Sequence, residues 1–411
     1  MNLTIRTALH GHTENGCFHY HSDSNSFLHF FRVFFQIPWY QLHQSQYQLP
    51  LFETLELHPN KNPFFSEHVS YLQYWVAYQN QNPVGRIAAW IDTKYDEIKH
   101  PDMKKKTGWI GLFESIDDSQ VAHLLLSTAL ENLRNQKVCN ILGPGRFNAS
   151  SQIGLQIDGF HHPPFFMEPF NPPYYQQYFA LIGEKKNDWY SFGVDEGSFY
   201  QYYQRILQME NRFGSLENQL QQKGIRVYSP SKKTLSFEVD RVIRFYNQLW
   251  SSPNHPQFSP LCAGEKRSLL KTITMFWEPS LIHIAETQNH ELVGLGITVP
   301  DINEALKGFP VNVSSKPTSL SYLHQNLLGL GRILCRVQKK NFSQARVLIL
   351  GSTVPFIALD AALYKNLYCA IQKLSIRKIS ASQIADCNLR MVNPLRKMGS
   401  VEKVWRVYQM Q

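Results

Sequence analysis

Two hydrophobic periods alternate along this chain. Residues 71–92, YLQYWVAYQNQNPVGRIAAWID, place β-branched and aromatic residues on either side of a polar turn at 80–83, which predicts two extended segments joined as a hairpin. GWIGLFES at 108–115 predicts another strand. Beyond the acidic turn at 116–120 the spacing changes: Val121, Leu124, Leu125, Thr128 and Ala129 recur at helical intervals. Asp117, Asp118 and Ser119 suit that helix's N-terminus, as caps and as charges on the dipole. VCNILGP at 138–144 returns to a strand.

The second half repeats the theme. Helical periodicity covers 198–224 and 241–250, and a hairpin at 281–300 turns at 288–291. An apolar strand follows at 345–355, then a helix at 358–375, a strand at 378–386, a short helix at 388–400 and a closing strand at 401–410. The Ser/Pro-rich stretch 310–325 predicts a surface excursion.

Between the halves the periodicity disappears. Residues 141–175, ILGPGRFNASSQIGLQIDGFHHPPFFMEPFNPPYY, read as a strand running into a long loop of prolines and aromatics. Loops this long are usually functional or disordered. Disorder is disfavoured because Phe147, Phe160, Phe165, Phe166 and Phe170 need cover. Two readings remain open: a rigid wall or lid over an apolar cleft, or packing between two domains. FLHFFRVFFQIPWY at 27–40 poses a similar choice, a helix stopped by Pro38 that either touches a membrane interface or packs on a sheet.

A length of 411 residues predicts two domains, placed at 1–195 and 196–411, and 43% apolar residues fill both cores. A net charge of +9 favours anionic partners such as phosphates or acidic headgroups, or serves solubility alone. Without a basic stripe interleaved with aromatics, nucleic-acid binding is not expected. The six cysteines are far apart with no CxxC pair, so no metal site is expected and reduced thiols are the default. The absence of a long apolar run and of a secretion-type start predicts a cytoplasmic protein, with peripheral contact to the inner membrane face as an option.

Hairpin, strand, helix, strand, helix, strand, occurring twice, is the order of a GNAT acyltransferase core and fits a mixed α/β fold with two tandem GNAT-like domains, an order that many other mixed α/β domains share. Particular motifs add to this: FFQIPWY, NKNPFFSEHV, PVGRIAAWID, GLFESIDD, ILGPGRFNASSQIGLQIDGF and PPFFMEPFNPPYY in the first half, then VGLGITVPDINEAL, LILGSTVP, ASQIADCN and GSVEKVWRVYQM. Over residues 30–411 the chain resembles the YghO-type tandem GNAT-like bacterial proteins, a family that includes bacterial ceramide synthases. The resemblance implies an N-acyltransferase that moves an acyl group from acyl-CoA or acyl carrier protein to an amine, such as a sphingoid base or other lipid amine. Acyl-CoA would then be a co-substrate, with no permanently bound cofactor.

Thioester aminolysis needs an amine held near the carbonyl, a donor for the oxyanion and a cradle for the carrier's phosphates. GNAT proteins draw these from the strand before the central helix and from the helix N-terminus. The equivalent strand here makes the amides of Leu350, Gly351, Ser352, Thr353 and Val354 the donor-binding candidates. The phosphate loop departs from the superfamily pattern: PFIALDAAL has no glycine and no basic residue, and Ala358 stands where a glycine belongs. In the first half ESIDDSQVA puts carboxylates at the corresponding place, so that domain is expected to support the fold or shape the acceptor pocket. Asn388 matches the start of the last GNAT motif, while Leu395 stands where a tyrosine acid is usual.

Glu114 and Asp301, both at strand ends, are the candidate general bases, and each has a structural alternative: Asp301 as a helix cap, Glu114 as a hydrogen-bond acceptor. His161 and His162 are further candidate bases, and Asp158 is expected to fix the turn at Gly159. The alternative to the enzyme is a catalytically degenerate GNAT pair that binds a ligand or partner without turnover.

Overall fold

The computed structural model describes residues 2–42, 49–102, 105–147, 152–251, 255–267, 278–309 and 320–410. In the first half β1 (Leu3–Glu14) and β2 (Cys17–Ser22) form a hairpin, followed by helices α1 (Ser24–Gln36), α2 (Pro38–Leu42), α3 (Pro50–Leu57) and α4 (Phe64–His68). The alternating run then gives β3 (Val69–Gln79), β4 (Asn82–Asp92), α5 (Thr93–Lys99), β5 (Thr107–Ser115), α6 (Ser119–Asn135) and β6 (Asn140–Gly145). Next come β7 (Leu155–Asp158), α7 (Tyr175–Ile182) and β8 (Gly183–Asp195).

The second half contains α8 (Glu196–Phe213), α9 (Leu216–Gln222), β9 (Ile225–Tyr228), α10 (Lys232–Trp250), β10 (Ile282–Thr287) and β11 (Leu292–Pro300). It continues with α11 (Asn303–Leu306), α12 (Leu320–Gln338), β12 (Gln344–Ser352), α13 (Ile357–Lys373), β13 (Lys378–Ala385), α14 (Leu389–Leu395) and β14 (Ser400–Met410). Of the excursion expected at 310–325, residues 310–319 lie outside the described residues and Leu320 opens α12.

The described strands make one continuous sheet in the order β2-β1-β3-β4-β5-β6-β14-β8-β13-β12-β11-β10-β9, with β7 against β14. Every pairing is antiparallel except β5 with β6 and β12 with β13. Each half therefore holds a hairpin leading into a parallel pair that is crossed by a helix, α6 in the first and α13 in the second. This mixed α/β arrangement is the tandem GNAT-like fold. The halves interlock: β14, the end of the chain, pairs with β6 and β7, while β8 pairs with β14 and β13.

The sequence reading omitted β8 and the β1–β2 hairpin. GEKKNDWYSFGVD has a polar first half and no clean alternation, yet its later residues are buried because strands flank it on both sides. The hairpin carried a legible signal, Asn15-Gly16, and both residues adopt positive φ (51° and 76°) as a tight turn requires. The helix foreseen over 198–224 breaks at Gly214, where φ is 87°.

Asp23 caps α1, and Phe30, Phe31, Val33, Phe34 and Phe35 are buried against the sheet. Packing on the sheet is thus what covers this aromatic segment. Pro38 begins a new helix after Ile37 breaks the first.

Candidate active site

Pairing of β12 with β13 runs only from Gln344–Lys378 to Val347–Ala381. Beyond it β12 stays paired with β11 as far as Ser352, while β13 shifts register against β8 between Ala381 and Ile384. A bulge bends a strand. The parallel pair consequently splays, and a crevice of about 410 Å³ opens at Leu348, Leu350, Gly351, Ser352 and Thr353. The main-chain groups on that edge of β12 have lost their neighbouring strand.

The bulge is fixed from outside the half that contains it. Glu168, in the proline-aromatic loop, accepts hydrogen bonds from Ser380 and Ser382 (each 2.6 Å) and pairs with Lys403 at 2.8 Å. Burial would raise its pKa, but the Lys403 and Arg346 charges outweigh burial and hold it at about 2. Arg346 donates to Phe166 O at 2.7 Å and to Ser382 O, and Gln383 donates to Ile153 O at 2.7 Å. Glu168 and Phe166 of the long loop therefore reach from the first half to the second and clamp the bulge. None of its described residues lines the crevice, and those described pack between the halves.

Helix α13 starts after Phe356, which supplies no side-chain cap, and Ile357 and Asp360 of its first turn line a space that adjoins the crevice. The basic residue that PFIALD lacks arrives from α14: Arg390 donates to Ser352 O at 3.0 Å and Ser352 Oγ at 2.7 Å, and pairs with Asp360 at 3.2 Å. Ser352 in turn donates to Asp360 at 2.7 Å. A second space of about 290 Å³, lined by Arg205, Asp360 and Arg390, adjoins the first through Leu350, Gly351 and Tyr364.

The structure brings Leu350, Gly351, Ser352, Thr353 and Asn388 together on the crevice. Val354 packs on the core beside α13, and Ala358 is buried beneath the helix tip; neither lines the cavity. Among residues that sequence reasoning missed, Arg390 sits two positions after Asn388, so the last-motif match carried a signal for it. Trp250 and His255, stacked with ring centroids 4.9 Å apart, also line the crevice. Burial, with the Lys99 charge adding to it, lowers the His255 pKa to about 4 and keeps the ring neutral. Nothing in the sequence flagged His255.

The corresponding splay in the first half is filled. Gly111 and Gly145 bring β5 and β6 so close that a Cβ on Gly111 would lie 1.8 Å from Gly145 O. Past that point Ser115 N–H donates to the Tyr175 hydroxyl at 2.8 Å and Tyr174 donates to Ser115 O at 2.8 Å. Asp118 caps α6. The protein's own phenols thus occupy the main-chain groups of Ser115 at the end of β5.

Glu114 lies in that filled splay. It accepts from Tyr175 at 2.8 Å and Tyr40 at 3.2 Å, and burial raises its pKa to about 7 against the pull of Arg86 at 4.0 Å. Asp301 accepts from Phe166 N–H (2.9 Å) and Asn303 N–H (3.1 Å), tying the loop to the start of α11; burial raises its pKa to about 7 as well. Neither carboxylate lines the crevice. His161 is exposed, His162 lies 3.8 Å from Glu402, and Asp158 accepts from Gly159 N–H at 2.7 Å as a turn would have it.

Two parallel pairs in one interlocked sheet, each crossed by a helix, make up the tandem GNAT-like fold. No protein-family model matches the chain. It is similar to Protein YghO of Escherichia coli strain K12, 28% identical over 373 residues covering 88% of this chain and 87% of that one. It is also similar to the bacterial ceramide synthase of Caulobacter vibrioides, 24% identical over 371 residues covering 88% of this chain and 89% of the relative. Among solved structures, a tandem GNAT protein from the clavulanic acid biosynthesis pathway matches 99% of this chain and 98% of its own at TM-score 0.47 and 10% identity. A GCN5-related glucosamine N-acetyltransferase region of a fungal multi-domain enzyme matches at TM-score 0.49 and 11% identity, covering all of this chain and 38% of that one. No described helix is long and apolar enough to cross a membrane.

Proposed function

We propose that the chain is an N-acyltransferase that binds an acyl thioester, carried by coenzyme A or acyl carrier protein, in the β12–β13 crevice and transfers its acyl group to an amine. The observation that carries this reading is the open splay at Leu348–Thr353 beside the uncapped tip of α13. A main-chain N–H on the free edge of β12 stabilises the oxyanion, and the helix tip with Arg390 receives the carrier's phosphate. A neutral amine attacks the carbonyl carbon, the C–N bond forms as the C–S bond breaks, and the ammonium proton passes to the departing thiolate directly or through water. Because a thiolate is a good leaving group, Leu395 in place of a tyrosine acid is tolerated.

The acceptor is a lipid amine of the sphingoid-base kind, and the enzyme works in the cytoplasm against the inner membrane face. Support comes from the apolar lining of the crevice, from Ile357, exposed on the adjoining space, and from the name of the Caulobacter relative. Purified protein with long-chain acyl-CoA and a sphingoid base should release free thiol and form the amide, with both lost in Arg390→Glu. Failure of acyl-CoA to raise the melting temperature at millimolar concentration would sink the reading.

One observation favours binding without turnover: Asp360 stands in the first turn of α13 and already holds Arg390 and Ser352. On that reading acyl-CoA at millimolar concentration leaves the melting temperature unchanged and no amine yields free thiol.

A further inference from the structure

Away from the crevice, three side chains with metal-ligating atoms converge from two distant parts of the chain. His68, the last residue of α4, is 1% exposed; Cys262 and Glu265 lie in the segment that follows α10. His68 Nε2 is 2.8 Å from Glu265 Oε2 and 3.0 Å from Cys262 Sγ, and the three ligand atoms lie within 4.8 Å of one another. The other ring nitrogen is taken: Nδ1 is 3.0 Å from Asp92 Oδ1, with Ser259 Oγ at 3.3 Å. Asp92 is itself rigid, because it accepts from Lys94 N–H and Tyr95 N–H as the cap of α5.

We propose that His68, Cys262 and Glu265 form a divalent metal site of the zinc type, oriented by Asp92, that clasps the segment after α10 to the first half of the protein. Imidazole, thiolate and carboxylate suit zinc, and three protein ligands leave a fourth position for water. A carboxylate on the far nitrogen of a ligating histidine fixes its orientation and raises its basicity, which is the part Asp92 plays. With metal–nitrogen and metal–sulfur bonds of about 2.0 and 2.3 Å, tetrahedral ligand atoms sit about 3.3–3.6 Å apart. Each of the two short contacts must therefore open by about half an ångström. Binding displaces the Nε2 and thiol protons into solvent.

A competing use of the same atoms is a Cys–His–Asp nucleophile. Glu265 argues against it, since a second acceptor on Nε2 competes for the proton that the histidine would have to shuttle. The site has a structural consequence for the crevice: Trp250 and His255, on the same stretch of chain, form part of its lining. A metal here would hold that wall in place.

The test is cobalt(II) binding to the purified full-length chain after chelator treatment and desalting. One equivalent should bind with a thiolate-to-cobalt charge-transfer band, release protons and raise the melting temperature. Cys262→Ser should abolish the band, Asp92→Asn should weaken affinity about 10- to 100-fold, and Cys335→Ser, an exposed cysteine elsewhere, should change nothing. Near-ultraviolet circular dichroism checks that each variant folds. Only trace cobalt on the folded wild type, or a band that persists in Cys262→Ser, overturns the proposal and leaves the cluster as a buried ion-pair network.

Discussion

Arg390 donates to both the main-chain oxygen and the hydroxyl of Ser352, at 3.0 and 2.7 Å, so the last residue of β12 is held by the helix that follows β13. The contact bridges the two strands whose separation opens the crevice. It also sets a cation beside a helix tip whose sequence supplies none, with Asp360 as its counter-charge. Four predictions follow from this and related contacts.

Arg390→Ala should weaken acyl-CoA binding about tenfold or more while leaving stability nearly unchanged. The Arg390–Asp360 pair is 46% and 38% exposed, and such pairs contribute under about 1 kcal/mol. Asp360→Asn should act in the opposite direction, because it removes an anion from the first turn of α13. Calorimetric titration of both variants with acyl-CoA checks the pair of signs; equal effects would count against phosphate at this tip.

Glu114→Gln should stabilise the protein at pH 8 by about 1–3 kcal/mol and have little effect at pH 4. The folded-state pKa is raised to about 7, so the folded protein keeps the proton and the favourable contribution is present at low pH. That contribution is lost as pH rises through 7, and the amide avoids the loss. Urea unfolding at the two pH values measures it, and an acylation assay on the same variant shows whether Glu114 also acts as a base.

Glu168→Gln should destabilise the protein by about 3–5 kcal/mol, the cost of leaving Lys403 buried without its partner. Because Glu168 also holds Ser380 and Ser382, the variant should lose acyl-CoA binding by more than its stability alone accounts for, measured well below its melting temperature.

His255 and His283 both have pKa values lowered to about 4, with burial the leading cause. The unfolded chain binds more protons than the folded one between pH 6.5 and 4, so these groups make stability fall as pH drops through that window. Replacing both with glutamine should flatten that part of the stability–pH curve relative to wild type. Denaturant midpoints across pH 4–7 provide the comparison.

Much of the fold was legible because hydrophobic period is a local property. The β3–β4 hairpin, β5, α6, the β10–β11 hairpin, β12, α13, β13 and β14 each carry their pattern in their own residues. The run 350–353 and Asn388, marked through the resemblance to GNAT motifs, lie on the crevice. β8 was not legible, because its burial comes from β13 and β14, strands that lie far along the chain in the second half. His68 and Cys262 stand 194 positions apart, beyond any spacing rule for metal ligands.

By itself, then, the sequence determined the elements, the repeat of a hairpin and a parallel pair, and the strand at which a thioester carrier would be sought. Tertiary structure decided which of two similar splays is open. That choice rests on side chains far apart in sequence: Tyr174 and Tyr175 close one splay at Ser115 within the first half, and Glu168 reaches across to Ser380 and Ser382 to hold the other apart. Contacts of this kind depend on where distant residues come to lie, and period and composition do not encode that.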